Sequence, residues 1–394
     1  MNPKWVLLAR LDGLIARLEL AQQAIAASGQ NTRLQKRIGA DLARRLVEYT
    51  EALKGTRRRV ANNQMSAKTW GDIEAPASAD LLDEALLYLQ AAHSRGPDAL
   101  PDLCEITDAL FQELGGKSAT APWNSFSVFS AEDSFDALKH IIRVRYPVSA
   151  VWDLPVAVHE FGHYVSGKLH HQRPDSSTYL SFQEYKGSFV PPAQAGAGMG
   201  NGAQTGTDWK VYLDEIFADV FAAYAAGPSF ACSCVLMRFN PALAHSEADG
   251  KHPSYAKRVY LILQTLRSRS NEKPGRRKLD AVIQLLDDAW RAACQTASIS
   301  PDLSEEDRTW LSAQVSTIYY MLKNDDGGLR FNQWETAGDK LKWLEEREPA
   351  SPGDYSILEL LNTAWMCRLK EGSNPAQISE NFLKLARRKL KMYD

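Results

Sequence analysis

Leu154-Pro155-Val156-Ala157-Val158-His159-Glu160-Phe161-Gly162-His163-Tyr164-Val165-Ser166 decides the reading of this chain. Its flanks, Leu154 to Val158 and Tyr164-Val165, are apolar, which predicts a buried helix. Pro155 is best tolerated in a first turn, with Ser149 or Asp153 as the candidate cap. The helix is expected to end near Gly167 to His171, before Pro174. Within it, His159 and His163 stand at i and i+4, one turn apart on the same face. Two imidazoles placed so can share one tetrahedral cation at ~2.0–2.1 Å each. Glu160, beside the first of them, can reach a water held by that cation and take its proton. The bland alternative is a surface helix that happens to carry two histidines. The apolar flanks argue against it, because buried imidazoles and carboxylates are costly without partners.

A catalytic metal site needs a third protein ligand and an open position. One pattern would supply a glycine three residues past the second histidine and a third histidine three beyond that. Those positions hold Ser166 and Leu169. Gly167 and His170 each miss by one residue, which turns a helix by about 100°. Asp214-Glu215-Ile216-Phe217-Ala218-Asp219 offers a better route. The helix it opens is apolar after Asp219, and Glu215 and Asp219 face the same way at i and i+4. Two like charges on one buried face repel unless a positive partner lies beside them. A zinc ion with its histidines is such a partner. Glu215 then ligates the metal, and Asp219 bonds the far nitrogen of a ligand histidine, fixing its tautomer. The alternative is a carboxylate pair answered by Arg or Lys elsewhere in the chain.

His-Glu-x-x-His, then Glu215-x-x-Ala218-Asp219, then His252-Pro253-Ser254-Tyr255-Ala256-Lys257-Arg258 follow one another in this order. In that order they resemble the gluzincin metallopeptidases, above all the branch containing the CAAX prenyl protease and the HtpX-type heat-shock peptidases. The resemblance covers residues 140 to 260. It implies a zinc endopeptidase with Zn2+ as cofactor and His252 or Arg258 near the substrate carbonyl oxygen. In such a mechanism zinc lowers the pKa of its water and polarises the carbonyl, while Glu160 carries the proton to the leaving amine. The oxyanion needs further donors. His252, Arg258 and a tyrosine, Tyr255 or Tyr164, are the candidates. The chain departs from that branch in having no apolar run of the ~18 residues that suggests a membrane span. Membrane-protein substrates and prenylated peptides therefore do not carry over.

Outward from this core the texture is helical. Leu7, Leu11, Leu14, Ile15, Leu18 and Ala21 recur at helical spacing, as do Leu34, Ile38, Leu42, Leu46 and Tyr49, and then Leu81, Leu82, Ala85, Leu86 and Leu89. Ser125 to Phe129 and Ile141 to Tyr146 read as strands. The edge of the second is a candidate for holding an extended substrate. Gly187 to Gly206 reads as a mobile loop beside the site, with Thr207 or Asp208 starting the next helix and Gly227-Pro228 stopping it. Gly115-Gly116-Lys117-Ser118 lacks the upstream glycine and the strand of a phosphate loop. Helical stripes return from Ser254, with a linker at Glu272 to Lys278 and breaks at Asp325 to Gly328 and Pro349 to Gly353.

The expectation is a mainly α (α+β) chain with a zincin-like core and a small sheet. It divides into a helical N-terminal domain at 1–116, a metallopeptidase core at 117–270 and a helical region at 271–394. The formal net charge of −2 argues against nucleic acid and acidic membrane as partners. The clusters Arg57 to Arg59 and Arg387 to Lys391 read as solvated helix faces. Arg10 and Asp12 break the first apolar stretch, so no signal peptide or anchor is expected. Five scattered cysteines fit a reducing, cytoplasmic setting, with Cys232 and Cys234 as small buried residues rather than a metal pair. The partner is then a protein or peptide substrate, with a regulatory protein on the helical flanks. Two other readings stay open: an inactive relative that only binds, against which the intact Glu160 speaks, and a zinc hydrolase of a non-peptide amide.

Overall fold

The computed structural model describes residues 3–27, 33–64, 101–117, 127–130, 134–136, 141–145, 151–172, 179–189, 208–247, 251–272, 277–324 and 355–390, with positions 69, 81, 82, 85, 89, 344 and 345. The chain is mainly helical. Helices α1 (Pro3–Ala27) and α2 (Arg33–Ala61) pack side by side, with Leu7, Leu11, Leu14 and Leu18 of α1 and Leu42 and Leu46 of α2 buried. Helix α3 spans Pro101–Gly115. Strands β1 (Ser127–Ser130), β2 (Ser134–Asp136) and β3 (Ile141–Arg145) follow, in the order β1-β3-β2.

Strand β3 pairs with β1 in parallel and with β2 antiparallel. This corrects the expectation that its edge can seat an extended substrate: both edges are already bonded, so no main-chain donors or acceptors remain in a row to receive one. A second pair, β4 (His170–Gln172) with β5 (Tyr179–Ser181), leads into α5 (Phe182–Ser188), whose start is closed by a reciprocal Ser181–Glu184 cap.

Two helices bear the sequence motifs. Helix α4 (Ala157–Ser166) follows a 3-10 turn at Leu154–Val156 that holds Pro155. Asp153 does not cap this turn with its side chain; it faces Arg238 at 3.5 Å instead. Helix α6 (Trp209–Ala226) starts at Asp208, whose carboxylate accepts from the Lys210 and Val211 N–H groups. It ends at Gly227, where φ is 63°, a left-handed conformation that favours glycine. Pro228 then restarts the chain as α7 (Pro228–Cys232), which runs into a π-helical turn, Ser233–Arg238. Residues 190–207, most of the glycine-rich segment, lie outside the described residues.

Helices α4 and α6 meet closely because small residues line the crossing. A Cβ on Gly162 would stand 2.9 Å from the Ala218 Cα. The glycine of the first motif and the alanine of the second are thus one contact. Phe161 stacks on Phe111 at 5.4 Å and meets the tilted ring of Phe221 at 6.1 Å, filling the space around it.

The later helices are α8 (Tyr255–Asn271), α9 (Arg277–Thr296), α10 (Glu305–Lys323), α11 (Ile357–Arg368) and α12 (Pro375–Leu390). Helices α8 and α10 pack on α6. Buried residues from α1 to α12 form one contiguous cluster. Polar bonds stitch it: Asn362 accepts from the Ser229 N–H at 3.0 Å and donates to the Ala226 carbonyl at 2.9 Å. The Glu113 carboxylate of α3 accepts from the Ile357 N–H at 2.8 Å, serving the donor-rich start of α11. Among the described residues no helix is long and apolar enough to cross a membrane.

Candidate metal centre

The α4–α6 crossing turns His159 and His163 toward Glu215. His159 Nε2 lies 3.3 Å from Glu215 Oε2, and His163 Nε2 lies 3.4 Å from Glu215 Oε1. Two ligands each ~2.0–2.1 Å from one tetrahedral ion stand ~3.3–3.4 Å apart, so these spacings suit a shared metal. His159, His163 and Glu215 form a buried group that can hold a metal ion. Glu215 is 7% exposed, and among the described residues its Oε2 is a buried atom without a hydrogen-bond partner. An ion between the three side chains would satisfy that atom. Cys232 and Cys234 are free and buried and are not part of this group.

Asp219 stands one turn beyond Glu215 and is wholly buried. Its Oδ1 lies 2.9 Å from His159 Nδ1, leaving Nε2 to face Glu215. Arg258 bonds the same carboxylate twice, Nε to Oδ2 and Nη2 to Oδ1, each at 2.7 Å. The Asp219 carboxylate thus bonds His159 and Arg258 at once. The Arg258 guanidinium also lies over the Phe239 ring at 5.1 Å. Asp214, the neighbour of Glu215, turns outward to Lys186 of α5, with both oxygens 2.7 Å from Nζ.

The charges show what the site favours. Burial alone would push the His159 imidazole down, but the Asp219 and Glu215 carboxylates outweigh it and lift its pKa to about 10. Burial likewise pushes Glu215 up, and the two histidines overcome this and hold it well below the usual carboxylate range. Asp219, raised by burial, is held down by Arg258 and by His159. Arg258 answers Asp219 directly, and the two imidazoles face Glu215.

The remaining predicted residues divide between the two sides. Glu160 is buried on α4 beside His159. His252 is 48% exposed, and its Nε2 lies 3.5 Å from Glu215 Oε1. His252, Tyr255 and Arg258 line an open cleft of about 380 Å³ together with Leu243, Glu247 and Pro253. Tyr164 is buried against Phe161 and its hydroxyl accepts from Lys168 at 2.7 Å. Glu247 was not singled out from the sequence, since no motif marks it. Comparison with protein families, curated proteins and solved structures gives no match.

Proposed function

We propose that this chain is a zinc-dependent hydrolase of peptide bonds, with a fold core of the zincin type and gluzincin-like ligands. The observation that carries the reading is the buried His159–His163–Glu215 group, with the Glu215 carboxylate facing both imidazoles and a cleft beside it. Bound zinc would supply a Lewis acid and lower the pKa of a coordinated water. Imidazole nitrogens and one carboxylate are the donors it commonly takes in catalytic sites.

The residues of the chain then divide the work. His159, His163 and Glu215 hold the ion. Asp219 accepts the His159 Nδ1 proton, which fixes the tautomer and leaves Nε2 as the ligand atom. Arg258 keeps Asp219 ionised and oriented, a positioning role that follows from its two short bonds. Glu160 takes the proton of the attacking water and returns it to the leaving amine. His252, at the cleft, donates to the developing oxyanion. The substrate is a protein or peptide entering by the cleft. Among the described residues Cys232, Cys234, Cys294 and Cys367 are free and buried, which suits a reducing compartment, and we assign the protein to the cytosol.

Glu160→Gln tests the reading. It keeps the size and a hydrogen-bonding end but cannot serve as a base at neutral pH. The variant is expected to fold, retain zinc, and lose cleavage by at least the ~10²–10⁴-fold that general-base catalysis contributes. Equal cleavage of cellular proteins by both forms, or none by the zinc-loaded wild type, would overturn the assignment.

A further inference from the structure

The cleft and the metal-bearing helix are joined through one carboxylate oxygen. Glu247 Oε1 accepts from the Tyr212 hydroxyl at 3.1 Å, from the Ser254 N–H at 3.4 Å and from Lys257 Nζ at 3.0 Å. Tyr212 sits on α6, three residues before Glu215. Ser254 precedes α8 and follows His252 by two residues. The side chain of Glu247 is only 13% exposed. Lys257 balances its charge and reaches on to Asp307 at 3.2 Å. A second bond, from the Ala256 N–H to the Ala244 carbonyl at 2.8 Å, holds the chain on either side of Glu247 and His252 together.

We propose that Glu247 is a positioning residue that sets His252 against Glu215 at the cleft. This rests on the hydrolase reading above. Three donors converge on a single oxygen, so movement of α6 and movement of the His252 segment are tied to the same atom. An oxyanion donor acts only within hydrogen-bond reach of the reacting oxygen, and a displacement of about 1 Å can cost ~10²-fold in rate. Glu247 itself touches no reacting atom in this scheme.

The test compares wild type, Glu247→Ala and Glu247→Gln as zinc-loaded full chains. Glu247→Ala is expected to lower kcat ~10–100-fold with KM within about threefold and zinc content unchanged. Glu247→Gln keeps an acceptor oxygen and is expected to recover most of the loss. A second readout does not use activity. The rate at which diethylpyrocarbonate modifies His252, mapped by mass spectrometry with His245 as internal reference, should rise several-fold in Glu247→Ala and return in Glu247→Gln. If Glu247→Ala does not fold, Tyr212→Phe removes one donor without exposing a charge and should shift the His252 rate the same way. An unchanged His252 rate overturns the inference, and so does loss of cleavage in step with loss of zinc. If zinc-loaded wild type cleaves nothing, the hydrolase reading fails, and the His252 rate alone decides whether Glu247 positions that side chain.

Discussion

Two arginines, one at the cleft and one in the core, are held in opposite ways. Arg258 is locked to a carboxylate, with two 2.7 Å bonds to Asp219. Among the described residues Arg368 has no carboxylate partner. Its guanidinium lies over the Trp152 ring at 4.4 Å and the Trp365 ring at 5.2 Å, and donates to the Ala9 carbonyl at 3.0 Å. Its Nη1 is buried without a hydrogen-bond partner, and burial pushes its pKa down to about 10. The difference separates two uses of a buried charge. At Arg258 the ion pair orients a group that bonds a candidate metal ligand, so direction matters. At Arg368 the cation joins α1, the turn before α4 and α11, and ring faces suffice because they attract a cation without fixing its direction closely.

The comparison breaks if the first region tolerates loss of its carboxylate. Asp219→Ala leaves the mostly covered Arg258, 15% exposed, without its carboxylate, which costs up to about 3–5 kcal/mol. It should also weaken metal binding ~10–100-fold. Denaturant unfolding and metal titration measure the two effects, and an unchanged midpoint would show that the pair carries no stability. Next in size is Arg368→Ala, expected to destabilise by about 2–4 kcal/mol through lost ring contacts and a cavity. Metal affinity should stay as in wild type. Were it to fall as in Asp219→Ala, the two regions would not be separate.

Metal removal sharpens the contrast further. With zinc at ~100 times its dissociation constant, chelation should lower stability by about 2.7 kcal/mol. The same loss is expected in Arg368→Ala and a smaller one in Asp219→Ala, read as shifts in thermal midpoint. The smallest effect belongs to the α4–α6 crossing. Gly162→Ala places a Cβ 2.9 Å from the Ala218 Cα, an overpacking that costs about 1–3 kcal/mol. Adding Ala218→Gly should return part of it; no recovery would mean the strain lies elsewhere.

Much of the candidate centre was legible in the residues. The i, i+4 spacing of His159 with His163 and of Glu215 with Asp219 sets each pair on one helix face, and the apolar surroundings announce burial. A bond between Asp219 and a histidine of the first motif was expected from that spacing, and Asp219 lies 2.9 Å from His159 Nδ1. Other features were not legible. The place of Arg258 against Asp219 depends on how α8 lies on α6. The motif resemblance offered His252 or Arg258 for the substrate carbonyl oxygen; in the structure Arg258 bonds Asp219, which bonds His159. Strand β3 showed its β-branched run in the sequence, yet nothing local told that it pairs on both sides. Asp153 is a reasonable cap by residue type, but Arg238, far along the chain, takes its carboxylate.

The sequence by itself determined which side chains share a helix face and which faces are buried, because helical periodicity is a local property of consecutive residues. Only the tertiary structure decided that Gly162 meets Ala218, that Arg258 and His159 share one carboxylate, and that Glu247 bridges Tyr212 to Ser254. Those contacts join residues distant in the chain. Their geometry is set by helix packing and by the need of each buried charge for a partner, and no spacing along the sequence encodes it.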